Sequence, residues 1–122
     1  MRSYLEKSAF LFFLLALLTV TCNCHGKGVF IIIKNNSGTD ILNLKISYVG
    51  GSLEKNLIRN KQIFSGYVNP ISESSLLVIF KNREGKIIRK DIDVYIEKNY
   101  KGKIEIIILP NYRLIVKDNI HI

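Results

Sequence analysis

The chain has 122 residues and a formal net charge of +8, which leaves room for one domain and excludes a multidomain enzyme. It is 48% hydrophobic, rich in isoleucine and nearly free of proline, a composition that argues against intrinsic disorder and for a β-rich core.

Residues 1–24 differ from the rest. Arg2 and Lys7 form a short positive region ahead of an uncharged run, Ala9 to Val20. That run is about a dozen residues, the length of a signal-peptide apolar region. As a helix it would reach roughly 18 Å, short of a hydrocarbon layer of about 30 Å. The segment is therefore read as an N-terminal signal, with an uncleaved anchor helix as the other reading.

Behind it stand the chain's only two cysteines, in Thr21-Cys-Asn-Cys-His25. Cysteines two apart suit a disulfide poorly, and no third is available to either. Cys22, Cys24 and His25 would supply three metal ligands on a chain end, where a closed site needs four fixed by a fold, so no metal is expected. The remaining roles are lipidation at Cys22 or removal of the cysteines with the signal. Leu18-Thr-Val-Thr-Cys22 is loosely like a bacterial lipobox, although Leu18 sits one position early and Thr21 replaces the usual smaller residue.

From residue 28 the chain reads as strands. Val29 to Ile33 is continuously apolar and ends in the turn cluster Asn35 to Asp40. Leu42, Leu44, Ile46 and Tyr48 alternate with polar residues, predicting a strand with one wet face, broken at Gly50-Gly51. Leu53 to Ile58 is a weaker strand, 59–62 a turn, and Ile63 to Val68 a short strand stopped at Asn69-Pro70. The apolar run Leu76 to Phe80 predicts a central strand, and Arg83 to Lys86 a hairpin turn. Ile88, Ile92, Val94 and Ile96 then alternate with polar residues, and Ile104 to Leu109 and Arg113 to Val116 flank a break at Pro110-Asn111.

Seven or eight short strands at about this spacing, with no helical period, predict an all-β fold. The expected form is a single immunoglobulin-like antiparallel β-sandwich over residues 28–117, followed by a tail at 118–122. The cysteines and tryptophan of antibody-type domains are missing, and the strand order is left open.

Three stretches, "KNNSGTDILNLKISYVGG", "NPISESSLLVIFKNREGK" and "DIDVYIEKNYKGKIEIII", carry a resemblance. Their N-N-[ST]-G turn, Y-x-G-G break and D-V-Y-x-E-x-x-Y-x-G segment resemble those of small exported or membrane-tethered bacterial β-sandwich proteins of unassigned, lipoprotein-like character. The resemblance covers Lys34 to Ile108. It implies a fold and an export route, and brings no activity with it.

Catalytic motifs are missing: the two histidines, His25 and His121, lie near the ends, and no nucleophile elbow, zinc-protease helix or phosphate loop is present. No enzyme activity and no cofactor are expected. Alternation puts Asp91, Asp93, Tyr95 and Glu97 on one strand face, able in principle to hold Ca²⁺ or supply an acid and a base. Flanking Arg89, Lys90 and Lys98 favour a solvated face with ion pairs. Asp93, Tyr95, Glu97 and Tyr100 are nonetheless carried as a surface-site candidate, with the two tyrosines expected to pack over the Gly102 turn.

Removing the signal leaves a charge of about +7, suited to anionic lipid, envelope polymer or an acidic protein. The cations are spread over many turns without an arginine-rich, aromatic-interleaved run, so a nucleic-acid partner is not expected. The expected function is that of a non-enzymatic exported protein of the cell envelope, tethered or secreted, binding another protein or an anionic envelope component. The apolar runs Val29 to Ile33 and Ile104 to Leu109 would serve strand addition if either lay at an edge. The rival expectation is a periplasmic immunity or inhibitor protein acting on a toxin or hydrolase.

Overall fold

The computed structural model describes residues 28–122, so the expected N-terminal signal or anchor helix and Cys22 lie outside the described residues. Eight strands follow in order: β1 (Val29–Asn35), β2 (Ile41–Tyr48), β3 (Gly51–Ile58), β4 (Ile63–Val68), β5 (Ser74–Lys81), β6 (Ile87–Ile96), β7 (Lys101–Ile108) and β8 (Leu114–His121). A 3-10 turn, Pro110–Tyr112, joins β7 to β8. Among the described residues no helix is long and apolar enough to cross a membrane.

The strands form two four-stranded sheets, β4-β1-β7-β8 and β3-β2-β5-β6. Between them lies a core of branched side chains: Ile31 and Ile33 of β1, Ile46 of β2, Leu76, Val78 and Phe80 of β5, and Ile104 and Ile106 of β7 are all fully buried. Those of β1 and β5 are the alternate residues of runs that the sequence shows as continuously apolar, while Ile46 and Ile104 have polar neighbours in Lys45, Ser47, Lys103 and Glu105. Their outward neighbours, such as Phe30, Ile32 and Ile79, are half-buried.

The β-sandwich expectation holds, with three corrections. β1 and β7 pair in parallel, from Phe30↔Lys103 to Asn35↔Ile108, so the fold is not wholly antiparallel. The strand order is also not that of an immunoglobulin constant domain, where the first two strands share a sheet; here β1 and β2 lie in different sheets and β2 and β3 form a hairpin. Finally, residues 118–121, expected as a tail, continue β8 and pair with β7 as far as Lys101↔His121.

A smaller difference lies in β2. The pairs Leu42↔Lys81 and Lys45↔Ile79 span three residues on β2 against two on β5, a bulge centred on Asn43 at φ 50. Asparagine tolerates this left-handed conformation better than most residues. The bulge turns Leu42 to the outer face and puts Ile41 into the core in its place.

The two runs considered for strand addition, in β1 and β7, are central strands, so neither offers a free edge. The edges are β3, β4, β6 and β8. Three of them carry an inward-facing charge: Lys55 opposite Leu44, Lys90 opposite Val78, and Asp118 opposite Ile104. Charges so placed oppose edge-to-edge association. On the outer face Lys34 pairs with Glu105 at 2.9 Å and holds that carboxyl below its ordinary range.

Candidate functional site at the two ends of the sandwich

Because each strand reverses the last, the connections fall alternately at opposite ends. The chain reaches β1 at Gly28, and the turn at 49–50 and the loops 69–73 and 97–100 share that end. The loops 36–40, 59–62, 82–86 and 109–113 lie at the other.

The candidates Asp93, Tyr95, Glu97 and Tyr100 belong to the Gly28 end. Asp93 and Tyr95 are exposed while Val94 and Ile96 are buried, as the alternation requires. Pairing between β5 and β6 slips here, with two residues from Ser74 to Leu76 facing four from Ile92 to Ile96. Tyr95, 49% exposed, donates its phenol proton to Glu97 Oε1 at 2.6 Å. Its ring meets Tyr100 edge-on, with centroids 6.4 Å apart. Asp93 shares the face but joins neither contact. Glu73, from the 69–73 loop, also acts on the Tyr95 phenol and was not legible as a partner from β6 alone.

The Glu97 hydrogen bond, followed by desolvation and then Glu73, raises the Tyr95 pKa well above its ordinary 10.0. A neutral phenol fixed to a carboxylate is neither a nucleophile nor a general base at neutral pH. Among the described residues no three His, Cys, Asp or Glu side chains gather to hold a metal ion. The Tyr95–Glu97 hydrogen bond and the Tyr95–Tyr100 ring contact bracket the 97–100 turn, which Asn99 closes at φ 71.

Its titration is a direct test. With the folded pKa raised, the stabilising contribution of neutral Tyr95 is present below pH 10 and is lost as the pH rises through the raised value. Glu97→Gln is expected to bring Tyr95 ionisation down toward the ordinary 10.0, read as phenolate absorbance against pH. An unchanged curve would remove Glu97 as the cause.

The opposite end has another character. Its loops carry Arg59, Lys61, Arg83, Lys86 and Arg113 against Asp40 and Glu84, whereas the loops at the Gly28 end carry Lys98 against Glu73 and Glu97. Turn cations that look dispersed in the sequence are therefore gathered at one end. The Gly28 end instead exposes apolar Val49, Ile71 and Ile122.

The basic loops are held from within. Asn35, fully buried, donates through Nδ2 to the carbonyls of Thr39 and Ile58, both at 2.8 Å, and accepts from Ser37 N and Ser37 Oγ. Gly38 N donates to Asn60 Oδ1 at 3.0 Å, tying the first two loops together. The Asn82 side chain caps the β5–β6 turn by accepting from Glu84 N and Lys86 N.

Asn111 and Tyr112 are consecutive residues at φ 63 and 60. For a bulky tyrosine this is a costly conformation, on the order of 1–3 kcal/mol, kept only where the surroundings enforce it. Tyr112 is held by its ring against Phe80, centroids 5.8 Å apart, and by its backbone N–H donating to the Leu109 carbonyl at 2.9 Å. Between this turn and the β5–β6 hairpin lies a cavity of ≈ 370 Å³. A shallower hollow of ≈ 480 Å³ runs along β3, beside Lys55 and Arg59.

No protein-family model and no curated protein matches the chain. An NMR structure of a protein from Eubacterium rectale is similar in fold, with a TM-score of 0.54 over 75% of this chain and 88% of its own, at 13% identity. At that identity the likeness is one of architecture alone.

Proposed function

We propose that this chain is a non-enzymatic exported protein of the cell envelope, directed by residues 1–24 and either held at the membrane through a lipid on Cys22 or released, which binds a protein or an anionic envelope component. The observation that carries this reading is the polarity of the sandwich. The N-terminal segment joins at Gly28, the end with exposed Val49, Ile71 and Ile122, while five loop cations stand at the opposite end. Gly28 lies six residue steps beyond Cys22. Fully extended they reach about 20 Å, so a lipid at Cys22 would keep the apolar end near the bilayer and turn the basic end outward.

Intact mass of the mature protein from its host, wild type against Cys22→Ser, tests the tether. A species starting at Cys22 with a diacyl or triacyl addition, absent in the variant, is the expected result. A lipid-free start near Lys27 would make the protein a secreted domain, and a full-length mass would sink signal processing altogether.

The same basic end favours a second reading, an immunity or inhibitor protein directed at an acidic toxin or hydrolase. Such a complex would form quickly and weaken steeply with salt, since loop charges of one sign meet a partner of the other. A salt-insensitive complex would count against it.

A further inference from the structure

We propose that the cavity between the β5–β6 hairpin and the 3-10 turn binds a phosphate ester with a sugar-sized organic part. This rests on reading the basic end as the partner-facing surface, and names the chemistry it would recognise. Lys86 of the hairpin turn and Arg89 and Lys90 of β6 line one space of ≈ 370 Å³, with Glu84 the single carboxylate among its lining residues. Among the described residues the one ion pair is Lys34–Glu105, so none of these three cations is neutralised by a carboxylate. An arginine fork can take two phosphate oxygens at once, and the two ammonium groups supply point charges beside it.

The inward aim of Lys90 sets this space apart from a generally basic surface. By alternation its side chain belongs to the core face of β6, opposite Val78, and it is half-buried at the open edge of the sandwich. The facing wall is not charged. Asn111 and Tyr112 supply an amide and a ring, held by the Phe80 contact, by the Tyr112 hydroxyl 3.4 Å from that of Thr39 and by the two successive left-handed residues. Ile87, 63% exposed, adds an apolar surface at the rim. Cations flanking the β6 edge, with Lys90 on its core face and Arg89 on its outer face opposite Ile79, and an aromatic ring with an amide across the space match a ligand that is anionic at one end and ring-like at the other. The volume is within the range of small-molecule sites, roughly 300–1,000 Å³, and a wall already fixed in place lowers the ordering cost of binding.

The test is titration of the full-length chain in zwitterionic detergent micelles with glucose 6-phosphate, glucose and inorganic phosphate, followed by amide NMR shifts. A parallel arm uses phosphatidylglycerol vesicles. Expected is saturable binding of glucose 6-phosphate with shifts at Lys90, Asn111 and Tyr112, weaker binding of phosphate and none of glucose. Arg89→Gln/Lys90→Gln should weaken it at least tenfold, while Lys101→Gln/Lys103→Gln, exposed on β7 and outside both the cavity and the basic end, leaves it within twofold. Vesicle binding with the same dependence on Arg89 and Lys90 would identify a lipid headgroup as the source of the phosphate and support the shared chemistry. Equal weakening by both double variants, phosphate binding as well as the sugar ester, or no binding of any probe overturns the cavity. None of those results bears on the tether, which the Cys22 mass reads separately.

Discussion

Replacing Asn35 with alanine is expected to lower the stability of the sandwich by about 3 kcal/mol, although the residue touches no ligand and carries no charge. A fully buried amide is removed, and with it the side-chain partners of the Ile58 carbonyl and of the Ser37 N–H, while the Thr39 carbonyl keeps Ser37 Oγ. Each buried group left without a partner costs about 1–3 kcal/mol, more than the net worth of the bond that satisfied it. In a domain of this size that corresponds to a fall in Tm on the order of 15 °C, read by circular dichroism or as a lower urea midpoint. Asn35→Asp should be no better, because a carboxylate oxygen would replace Nδ2 and face two carbonyl oxygens 2.8 Å away. Ser37→Ala keeps the Nδ2 bonds and should cost less than either. If Asn35→Ala melts within about three degrees of wild type, the lock has no such role, since that shift corresponds to well under 1 kcal/mol. The same residue shows why the basic end is an ordered surface: Asn35 joins the end of β1 to the end of β3, and through Gly38 and Asn60 the two loops are held in mutual register.

How far the sequence foretells this structure depends on which physical signal each feature leaves. All eight strands are legible, because alternation and turn residues are local and the strands are short. Ile92, Val94 and Ile96 are buried where their spacing puts them, and the Tyr95–Glu97 contact follows from residues two apart on one strand. The bulge at Asn43 is not legible, since an apolar residue at position 41 or at position 42 fits the pattern equally well. The second half of β8 is hidden for another reason: as an edge strand it has one side open to water, and Lys117, Asp118 and Asn119 interrupt the apolar pattern.

The parallel pair and the basic end share one explanation, the parity of the strands. Every strand runs opposite to the one before, so neighbours of like parity, such as β1 and β7, must be parallel. Connections of odd number meet at one end, and it is these that hold Arg59 and Lys61, Arg83 and Lys86, and Arg113. Counting cations by alternate turns, rather than along the chain, would have found this surface without coordinates. Glu73 was beyond reach, because it meets Tyr95 through a loop whose placement depends on which strands pair.

Gly102→Ala is expected to have the other large effect, and it separates the two ends of the molecule. Gly102 has φ +111, a conformation that favours glycine, and a Cβ built there lies 2.0 Å from the Asn119 carbonyl oxygen and 2.9 Å from Ile120 Cα. Those are backbone atoms of β8 and cannot rotate aside, so either the strand moves away or β7 changes its dihedrals. Gly85 provides the comparison: at φ +85 it is equally left-handed, but nothing lies within 4 Å of its Cβ. Gly85→Ala should therefore carry only the conformational cost of roughly 1–2 kcal/mol, whereas Gly102→Ala adds the displacement of an edge strand and should exceed it by at least about 2 kcal/mol. Equal losses for the two would mean that β8 yields without cost near Ile120. Hydrogen exchange localises the effect: amides of 117–121 and 101–104 should lose protection first, while those of 36–40 and 82–86 keep theirs. Because Lys90, Asn111 and Tyr112 lie at the far end, sugar-phosphate binding should survive Gly102→Ala at temperatures where the variant is still folded. Loss of binding in the folded variant would instead show that the two ends communicate through β8, the strand that leads from the 3-10 turn to the Gly28 end.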